Sequence, residues 1–210
     1  MTPQSDVVTV STPPTDGSAA AYEVIAIGSS AGGLAALTET LSTLPAGLPA
    51  SILVVQHLDP RHRSLLAEIL GRRTALTVVQ AHGGEQIVPG FVYIAPPDQH
   101  MLVDDGPTIA LTRSELVHFV RPSVDLLFES VAALYRERAI AVVLTGSGSD
   151  GAMGVVAVKK MGGTVIAQDE GTSDYFAMPS AAIATGNVDF VLPVQEIAPA
   201  LVSLVIGAPS

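Results

Sequence analysis

The sequence predicts an α/β fold in which a mostly parallel sheet is covered by helices on both faces. Strand-like and helix-like segments alternate from Tyr22 to the C-terminus, which is typical of parallel strands joined by helices. Predicted strands such as residues 24–27 and 139–144 are apolar on both sides, as strands between two helical layers are. A chain of 210 residues is long enough to bury the core of one such domain.

The first two strand–helix units lie in the N-terminal third of the chain. Residues 24–27 form an apolar strand, and the helix that follows from Gly32 carries three leucines at helical spacing: Leu34, Leu37 and Leu41. A second buried strand over residues 51–55 leads to a helix over residues 64–70. Four side chains of this helix are expected to face the core: Leu65, Leu66, Ile69 and Leu70.

The same alternation resumes after an irregular middle region. Short strands separated by Gly and Pro turns predict a small, partly antiparallel section at residues 76–79, 91–95 and 101–103. Pro122 begins a helix, whose inner stripe is Val124, Leu127, Phe128, Val131 and Leu134. The remaining elements are strands at residues 139–144, 164–167 and 190–192, and helices at residues 152–161, 178–184 and 197–206.

Composition argues against several classes of function. The absence of cysteine excludes disulfides, thiol catalysis and cysteine–zinc sites, and fits a cytoplasmic protein. A net charge of −10 argues against nucleic-acid binding, which needs a basic face. No apolar stretch approaches the roughly 18–20 residues of a membrane span, and no secretory signal is expected. No residues have metal-ligand spacing, and no cofactor is expected.

Two segments differ in composition from the rest of the chain. Residues 1–20 are rich in Ser, Thr, Pro and Ala and predict a disordered tail, so the folded domain is expected over residues 21–210. Four of the ten cationic side chains fall within one short segment: Arg61, Arg63, Arg72 and Arg73. This segment is either a solvated helix with basic ends or a positive patch suited to an acidic partner.

Polar residues follow three predicted strands, at the strand ends where parallel sheets bind ligands. The first strand ends in the Gly-x-Ser-x-Gly pentad of residues 28–32, a turn that exposes a serine hydroxyl beside the N–H groups of a new helix. The second ends in His57, and the third leads to Asp150. Each residue alone is most often a helix cap or a structural histidine. Together they predict a nucleophile, a base and an acid, in a chain order unlike that of α/β-hydrolases.

Five sequence blocks occur in an order that matches a known family: residues 25–33 (IAIGSSAGG), 56–57 (QH), 93–101 (YIAPPDQHM), 121–125 (RPSVD) and 144–152 (LTGSGSDGA). They resemble the catalytic domain of bacterial chemotaxis protein-glutamate methylesterases. The resemblance implies a three-layer α/β/α sandwich that hydrolyses glutamate γ-methyl esters on chemoreceptor helices, releases methanol and deamidates certain receptor glutamines. Methylated chemoreceptor-like helices are the implied partner, and the oligomeric state stays open.

The same resemblance implies a role for each site residue. Ser30 is the nucleophile, with Ser29 as a rival, His57 is the general base, and Asp150 orients the histidine. An oxyanion hole is expected from backbone N–H groups, with Ala31 and Ser147 as candidates. Candidate substrate-binding residues are Arg61, Arg63, Arg72, Arg73, Tyr175, Phe176 and Met178, although simple packing is favoured for Tyr175 and Phe176.

Departures from the family pattern put the usual substrate in doubt. Ser147 stands where the family commonly has methionine, Ala31 where threonine is usual and Val120 where a histidine is frequent. Regulated members carry a phospho-accepting receiver domain before the esterase, whereas only the short predicted tail precedes it here. Control by phosphorylation within the same chain is therefore not expected.

Two other functions remain open on sequence grounds. Gly146, Gly148 and Gly151 match the Gly-x-Gly-x-x-Gly turn of dinucleotide-binding proteins, and Asp169 follows at nearly the distance of a ribose-binding acid. Asp150 would then place a carboxylate inside the pyrophosphate cradle. The other alternative is a catalytically silent interaction module that keeps the fold.

Overall fold

Nine strands occur in the computed structural model, which describes residues 22–58 and 64–207. They are β1 (Val24–Ser29), β2 (Ser51–Gln56), β3 (Thr77–Gln80), β4 (Phe91–Ile94), β5 (His100–Asp104), β6 (Thr108–Thr112), β7 (Ala139–Val143), β8 (Thr164–Gln168) and β9 (Phe190–Leu192). Seven of them form one sheet in the order β3-β4-β2-β1-β7-β8-β9, with every neighbouring pair parallel. Strands β5 and β6 pair separately as an antiparallel hairpin.

Helices cover both faces of the sheet. They are α1 (Gly33–Ser42), α2 (Leu66–Gly71), α3 (Val124–Tyr135), α4 (Ala152–Lys160), α5 (Ala177–Ala184) and α6 (Val194–Ile206). Side chains alternate between the two faces of a strand, so Ile25 and Ile27 of β1 pack with α1, α2 and α6. Val24 and Ala26 pack with α3, α4, α5 and the hairpin. The predicted three-layer α/β/α sandwich with a mostly parallel sheet is confirmed.

The predicted small antiparallel section in the middle of the chain is confirmed, and it consists of one hairpin. Strands β3 and β4 belong to the parallel sheet, and only the hairpin of β5 and β6 is antiparallel. Strand β6 was not predicted, because Thr108–Thr112 (TIALT) has three apolar residues in a row and lacks the polar–apolar alternation that marks a half-buried strand.

Helix α2 buries half of the side chains that were expected to face the core. Leu66 and Leu70 are buried, but Leu65 is 51% exposed and Ile69 is 40% exposed. The prediction was wrong for Leu65 because the helix begins only at Leu66. It was wrong for Ile69 because this residue lies about 100° around the helix from Leu70, at the edge of the buried face and not at its centre.

The chain reverses its direction of winding at the centre of the sheet. Strand β1 has β2 on one side and β7 on the other, so the carboxyl ends of these three strands meet at one edge. Ligands bind at such points in open α/β sheets. The predicted tail, residues 1–20, lies outside the described residues. Among the residues that are described, no helix is long and apolar enough to cross a membrane.

Candidate active site

The turn after β1 holds two serines in different environments. Ser29 is fully buried, and its hydroxyl donates a hydrogen bond of 2.7 Å to Oε1 of Gln56. Ser30 is half-buried and lines an open groove. Gly32 then adopts a φ of 77°, and a Cβ at this position would lie 2.8 Å from Oδ2 of Asp174. The accessible hydroxyl of the pentad is therefore that of Ser30.

His57 lies beside this turn because the ladder between β1 and β2 continues past the strand ends. Its backbone N–H donates to the carbonyl of Ser29 over 3.0 Å. Its ring nitrogen Nε2 lies 2.9 Å from Oδ2 of Asp150. An ionised carboxylate only accepts hydrogen bonds, so Nε2 carries the proton and Nδ1 has the free lone pair. The two side chains are 13% and 4% exposed, respectively.

Asp150 is held by the N-terminus of α3 as well as by His57. Its carboxylate accepts hydrogen bonds from the N–H groups of Val124 and Asp125 and from the hydroxyl of Ser123. Burial by itself raises the pKa of Asp150. The hydrogen bond from His57 and those from the two backbone N–H groups outweigh it and hold that pKa below its ordinary value. Asp150 is therefore a charged acceptor fixed from two sides.

Asp125 performs the reciprocal capping role for α4. Its Oδ1 accepts hydrogen bonds from the N–H groups of Gly151 and Gly154, at 2.9 and 2.7 Å. Burial, with a smaller contribution from the negative charge of Asp150, raises the pKa of Asp125. The carboxylate thus occupies the helix N-terminus at which a dinucleotide pyrophosphate would bind. The dinucleotide-binding alternative is not favoured.

No hydrogen bond joins Ser30 Oγ to another group within residues 22–58 and 64–207. In apo hydrolases such contacts often tighten only when substrate binds. The site also holds two candidate oxyanion donors, because the N–H groups of Ala31 and Ser147 have no partner within the same described ranges. The N–H of Gly146, in contrast, donates to the carbonyl of Tyr175 over 2.8 Å.

A groove of about 1170 Å³ runs from Ser30 between α1 and α2. We call it the α1–α2 groove. Its walls include three exposed apolar side chains: Leu34, Leu65 and Ile69. Arg73 also lines this groove, whereas Arg72 is exposed at the end of α2 and is not among its lining residues. Arg61 and Arg63, the other two arginines of the predicted patch, lie outside the described residues.

The three candidate substrate-binding residues of the 175–178 segment differ in exposure. The side chain of Tyr175 is 53% exposed, while its backbone is fixed to the loop after β7 by hydrogen bonds with Thr145 and Gly146. Phe176 is half-buried. Met178 is fully buried, and its sulfur fills the space that a Cβ at Gly146 would need. Met178 therefore packs beneath the site and presents no exposed surface to the groove.

Ser30, His57 and Asp150 are called the candidate triad below. Three polar residues that surround it were not predicted from the sequence: Gln56, Ser123 and Asp125. The available signal was weak. Ser123 and Asp125 stand at the start of a helix, where such residues usually cap their own helix. Gln56 is adjacent to His57, but nothing in the sequence indicates what its amide contacts. Across the described residues, no three His, Asp or Glu side chains are grouped to hold a metal ion.

Comparison with known proteins supplies independent evidence on the family. The family model described as CheB methylesterase matches residues 25–201. The chain is 45% identical over 190 residues to a protein-glutamate methylesterase/protein-glutamine glutaminase of Moorella thermoacetica, covering 89% of this chain and 45% of that protein. A Thermotoga maritima protein of the same name is 42% identical, with 87% of this chain and 54% of that protein covered.

A solved structure matches over almost its whole length. The crystal structure of the Thermotoga maritima CheB methylesterase catalytic domain superposes with a TM-score of 0.85 at 42% identity, covering 88% of this chain and 99% of that one. The chain thus spans about half the length of the full-length relatives and nearly all of this catalytic domain.

Proposed function

The chain belongs to the CheB methylesterase family, and on that premise we propose that it hydrolyses γ-methyl esters of protein glutamate residues and releases methanol. The observation that carries the proposal is the 2.9 Å contact between His57 Nε2 and the buried carboxylate of Asp150, beside the accessible hydroxyl of Ser30. Because the Asp150 carboxylate accepts a hydrogen bond from Nε2 of His57, the other ring nitrogen, Nδ1, is unprotonated and can act as a base.

The proposed mechanism is a double displacement. Ser30 Oγ attacks the ester carbonyl while its proton passes to Nδ1 of His57, and Asp150 stabilises the resulting imidazolium. Collapse of the tetrahedral intermediate expels methanol, which takes the proton from His57. Water then attacks the glutamyl-enzyme with His57 again as base, which releases the γ-carboxylate of the substrate protein's glutamate residue and returns the proton to Ser30 Oγ. A glutamine side chain would react in the same way with ammonia as the leaving group, in keeping with the glutaminase part of the relatives' names.

The α1–α2 groove supports a polypeptide substrate in preference to a small molecule. Small-molecule pockets are concave and typically hold about 300–1,000 Å³, whereas this groove is open, holds about 1170 Å³ and ends at Ser30. Amphipathic helices bind such grooves through an apolar stripe. The proposed partner is a helix of a methylated chemoreceptor-like protein. A cytoplasmic location, with which the absence of cysteine is compatible, is part of the proposal.

Methanol release tests the function and the nucleophile together. Two substrates are used: a methylated chemoreceptor, and the small γ-methyl ester of N-acetylglutamate. The Ser30→Ala variant is expected to lose about 10³-fold or more of the wild-type kcat, because the nucleophile is absent. Ser29→Ala tests the rival nucleophile; it removes one hydrogen bond of Gln56 and is expected to lose far less activity than Ser30→Ala. Ser180→Ala, which removes an exposed hydroxyl of α5, is the matched control and retains wild-type activity. Equal rates in wild type and Ser30→Ala would eliminate the proposed function.

A further inference from the structure

The side chain of Gln56 contacts both reactive segments of the site. Its Nε2 donates one hydrogen bond of 2.7 Å to the carbonyl of Ser30 and another of 3.0 Å to the carbonyl of His57. Its Oε1 accepts the hydrogen bond from Ser29 Oγ. Both amide protons and the amide oxygen are used, and the residue is buried, so the orientation of the carboxamide is fixed.

The bond to the Ser30 carbonyl determines where the next N–H group points. The peptide between Ser30 and Ala31 is planar and trans, so its C=O and N–H point in opposite directions. The carbonyl oxygen is held by two donors, Gln56 Nε2 and the N–H of Gly33 at 2.9 Å. The N–H of Ala31 must therefore point away from Gln56.

We propose that Gln56 is a positioning residue that keeps the Ala31 N–H available to the oxyanion formed at Ser30. The inference rests on the proposed ester hydrolysis and extends it to a residue whose carboxamide bonds two backbone carbonyls and the Ser29 hydroxyl, and not the reacting atoms. Without the amide donor, one of the two bonds that prevent rotation of the Ser30–Ala31 peptide is lost. A rotated peptide would present its carbonyl to the developing negative charge in place of its N–H.

Gln56→Glu is the sharpest variant because it preserves shape while removing both donors. A glutamate carboxylate would face the carbonyl oxygens of Ser30 and His57, with which it has no favourable contact. We expect kcat on the small γ-methyl ester to fall about 10- to 100-fold, less than the 10²–10³ typical of deleting an oxyanion donor outright. The KM should change little. Gln86→Glu makes the same chemical change at an exposed, distant position and is expected to match wild type.

Comparison of the ester with its thionoester analogue distinguishes a role in oxyanion stabilisation from a purely structural role. Sulfur accepts hydrogen bonds weakly, so a missing oxyanion donor slows the oxygen ester more than its thiono analogue. The ratio of kcat/KM for the ester to that for the thionoester should therefore fall in Gln56→Glu. It should stay at the wild-type value in Gln86→Glu.

Gly33→Ala perturbs the same carboxamide from the opposite side. A Cβ at residue 33 would collide with Gln56 Oε1 and lie 2.9 Å from Ser29 Cβ. This variant is expected to show the same drop in kcat and in the ester ratio, and it replaces Gln56→Glu if that chain does not fold. Thermal unfolding of each variant identifies a chain that does not fold.

The outcomes separate the two proposals. A folded Gln56→Glu enzyme with wild-type kcat and ratio overturns the positioning role, as does a lower kcat with an unchanged ratio. A crystal structure of Gln56→Glu with the Ser30–Ala31 peptide unmoved overturns it without any assay. Failure of the wild-type protein to hydrolyse either ester, or full activity of Ser30→Ala, instead removes the esterase function itself.

Discussion

Asp150 serves two structural purposes with one carboxylate. It holds the imidazole of His57, and it caps α3 through the N–H groups of Val124 and Asp125. Charged acceptors at helix N-termini are favourable because the unpaired N–H groups carry partial positive charge. The residue that orients the proposed base is thereby tied to a helix packed against the core.

Asp150→Asn should reduce activity and stability together. The corresponding change in a serine protease lowers kcat about 10⁴-fold by favouring the wrong histidine tautomer, and a similar loss of methanol release is expected here. Hydrogen bonds to a charged group are worth about 1.5–3 kcal/mol, and the variant removes the charged acceptor of four of them, so urea unfolding at pH 7 should show a loss of about 3 kcal/mol.

The pH dependence gives the control for this variant. Because the folded pKa of Asp150 is depressed, its stabilisation is fully present above the ordinary value of 3.8 and is lost as the pH falls through the folded value. The stability difference between wild type and Asp150→Asn should therefore shrink in acid. A difference that grows towards low pH would contradict the assignment of a charged Asp150.

The candidate site residues at the strand ends could be predicted from the sequence. The residues that hold them in place through hydrogen bonds could not. Ser30, His57 and Asp150 each follow an apolar run that is recognisable as a buried strand, and parallel topology brings the three together. Gln56 and Asp125 act on groups 26 to 29 positions away. Those contacts exist only after the sheet and the helices have packed, and no local pattern encodes them.

At the level of elements, glycines permit the close approach of α3 to its neighbours. A Cβ at Gly28 of β1 would collide with Val124, and one at Gly154 of α4 would lie 2.6 Å from Phe128 Cβ. Phe128 is fully buried at this contact. The candidate triad depends on this packing because both aspartates bridge α3 and the loop that begins α4.

Gly154→Ala is expected to destabilise the protein although alanine is the better helix former. The gain in propensity is about 1 kcal/mol. Overpacking costs about 1–3 kcal/mol, and here it lies towards the upper end because the new methyl group also meets the Asp125 backbone at 3.2 Å. Thermal unfolding should show a net loss.

Gly47→Ala is the control for this prediction. No atom lies within 4 Å of a Cβ built at residue 47, so its stability should stay within about 0.5 kcal/mol of wild type. If Gly154→Ala proves as stable as Gly47→Ala, α3 and α4 pack less tightly than the distances require.

Apolar periodicity predicted the long elements well and the short ones poorly. Helix α3 and strand β7 were recognised because their buried faces are continuous, whereas β6 is only five residues long, has no polar–apolar alternation and lies outside the main sheet, paired with β5. The prediction of which side of α2 faces the core was wrong because a helix of six residues is too short for its apolar residues to define one face. The exposed Leu65 and Ile69 instead line the α1–α2 groove.

At the scale of the whole molecule, a net charge of −10 is combined with mixed charge in the α1–α2 groove, whose lining includes Glu39 and Asp174 as well as one arginine. Arg73 lines the α1–α2 groove next to apolar side chains. The positive charge of Arg73 attracts an acidic partner despite the overall negative charge of the protein. This is because salt at physiological concentration screens charges that lie more than about 8–10 Å away.

Arg73→Ala should raise the KM for a methylated receptor several-fold at low salt and leave kcat unchanged, because the charge assists association and not chemistry. Methanol release measured across a salt series should show this difference disappear at high ionic strength. Lys160→Ala makes the same change in net charge at an exposed position of α4, on the opposite face of the sheet. It should match wild type, and an equal effect of both variants would argue against a local role of Arg73.

Asp150, in the loop before α4, caps α3, and Asp125 of α3 caps α4. This reciprocal capping limits how the region can open. If α4 separates from the domain, the N–H groups at the start of α3 lose their acceptor, and the reverse holds for α3. The smallest fluctuation that exposes Asp150 to water therefore involves both helices at once. Local unfolding of one helix alone is therefore disfavoured, and we expect α3 and α4 to unfold around Asp150 as one cooperative unit.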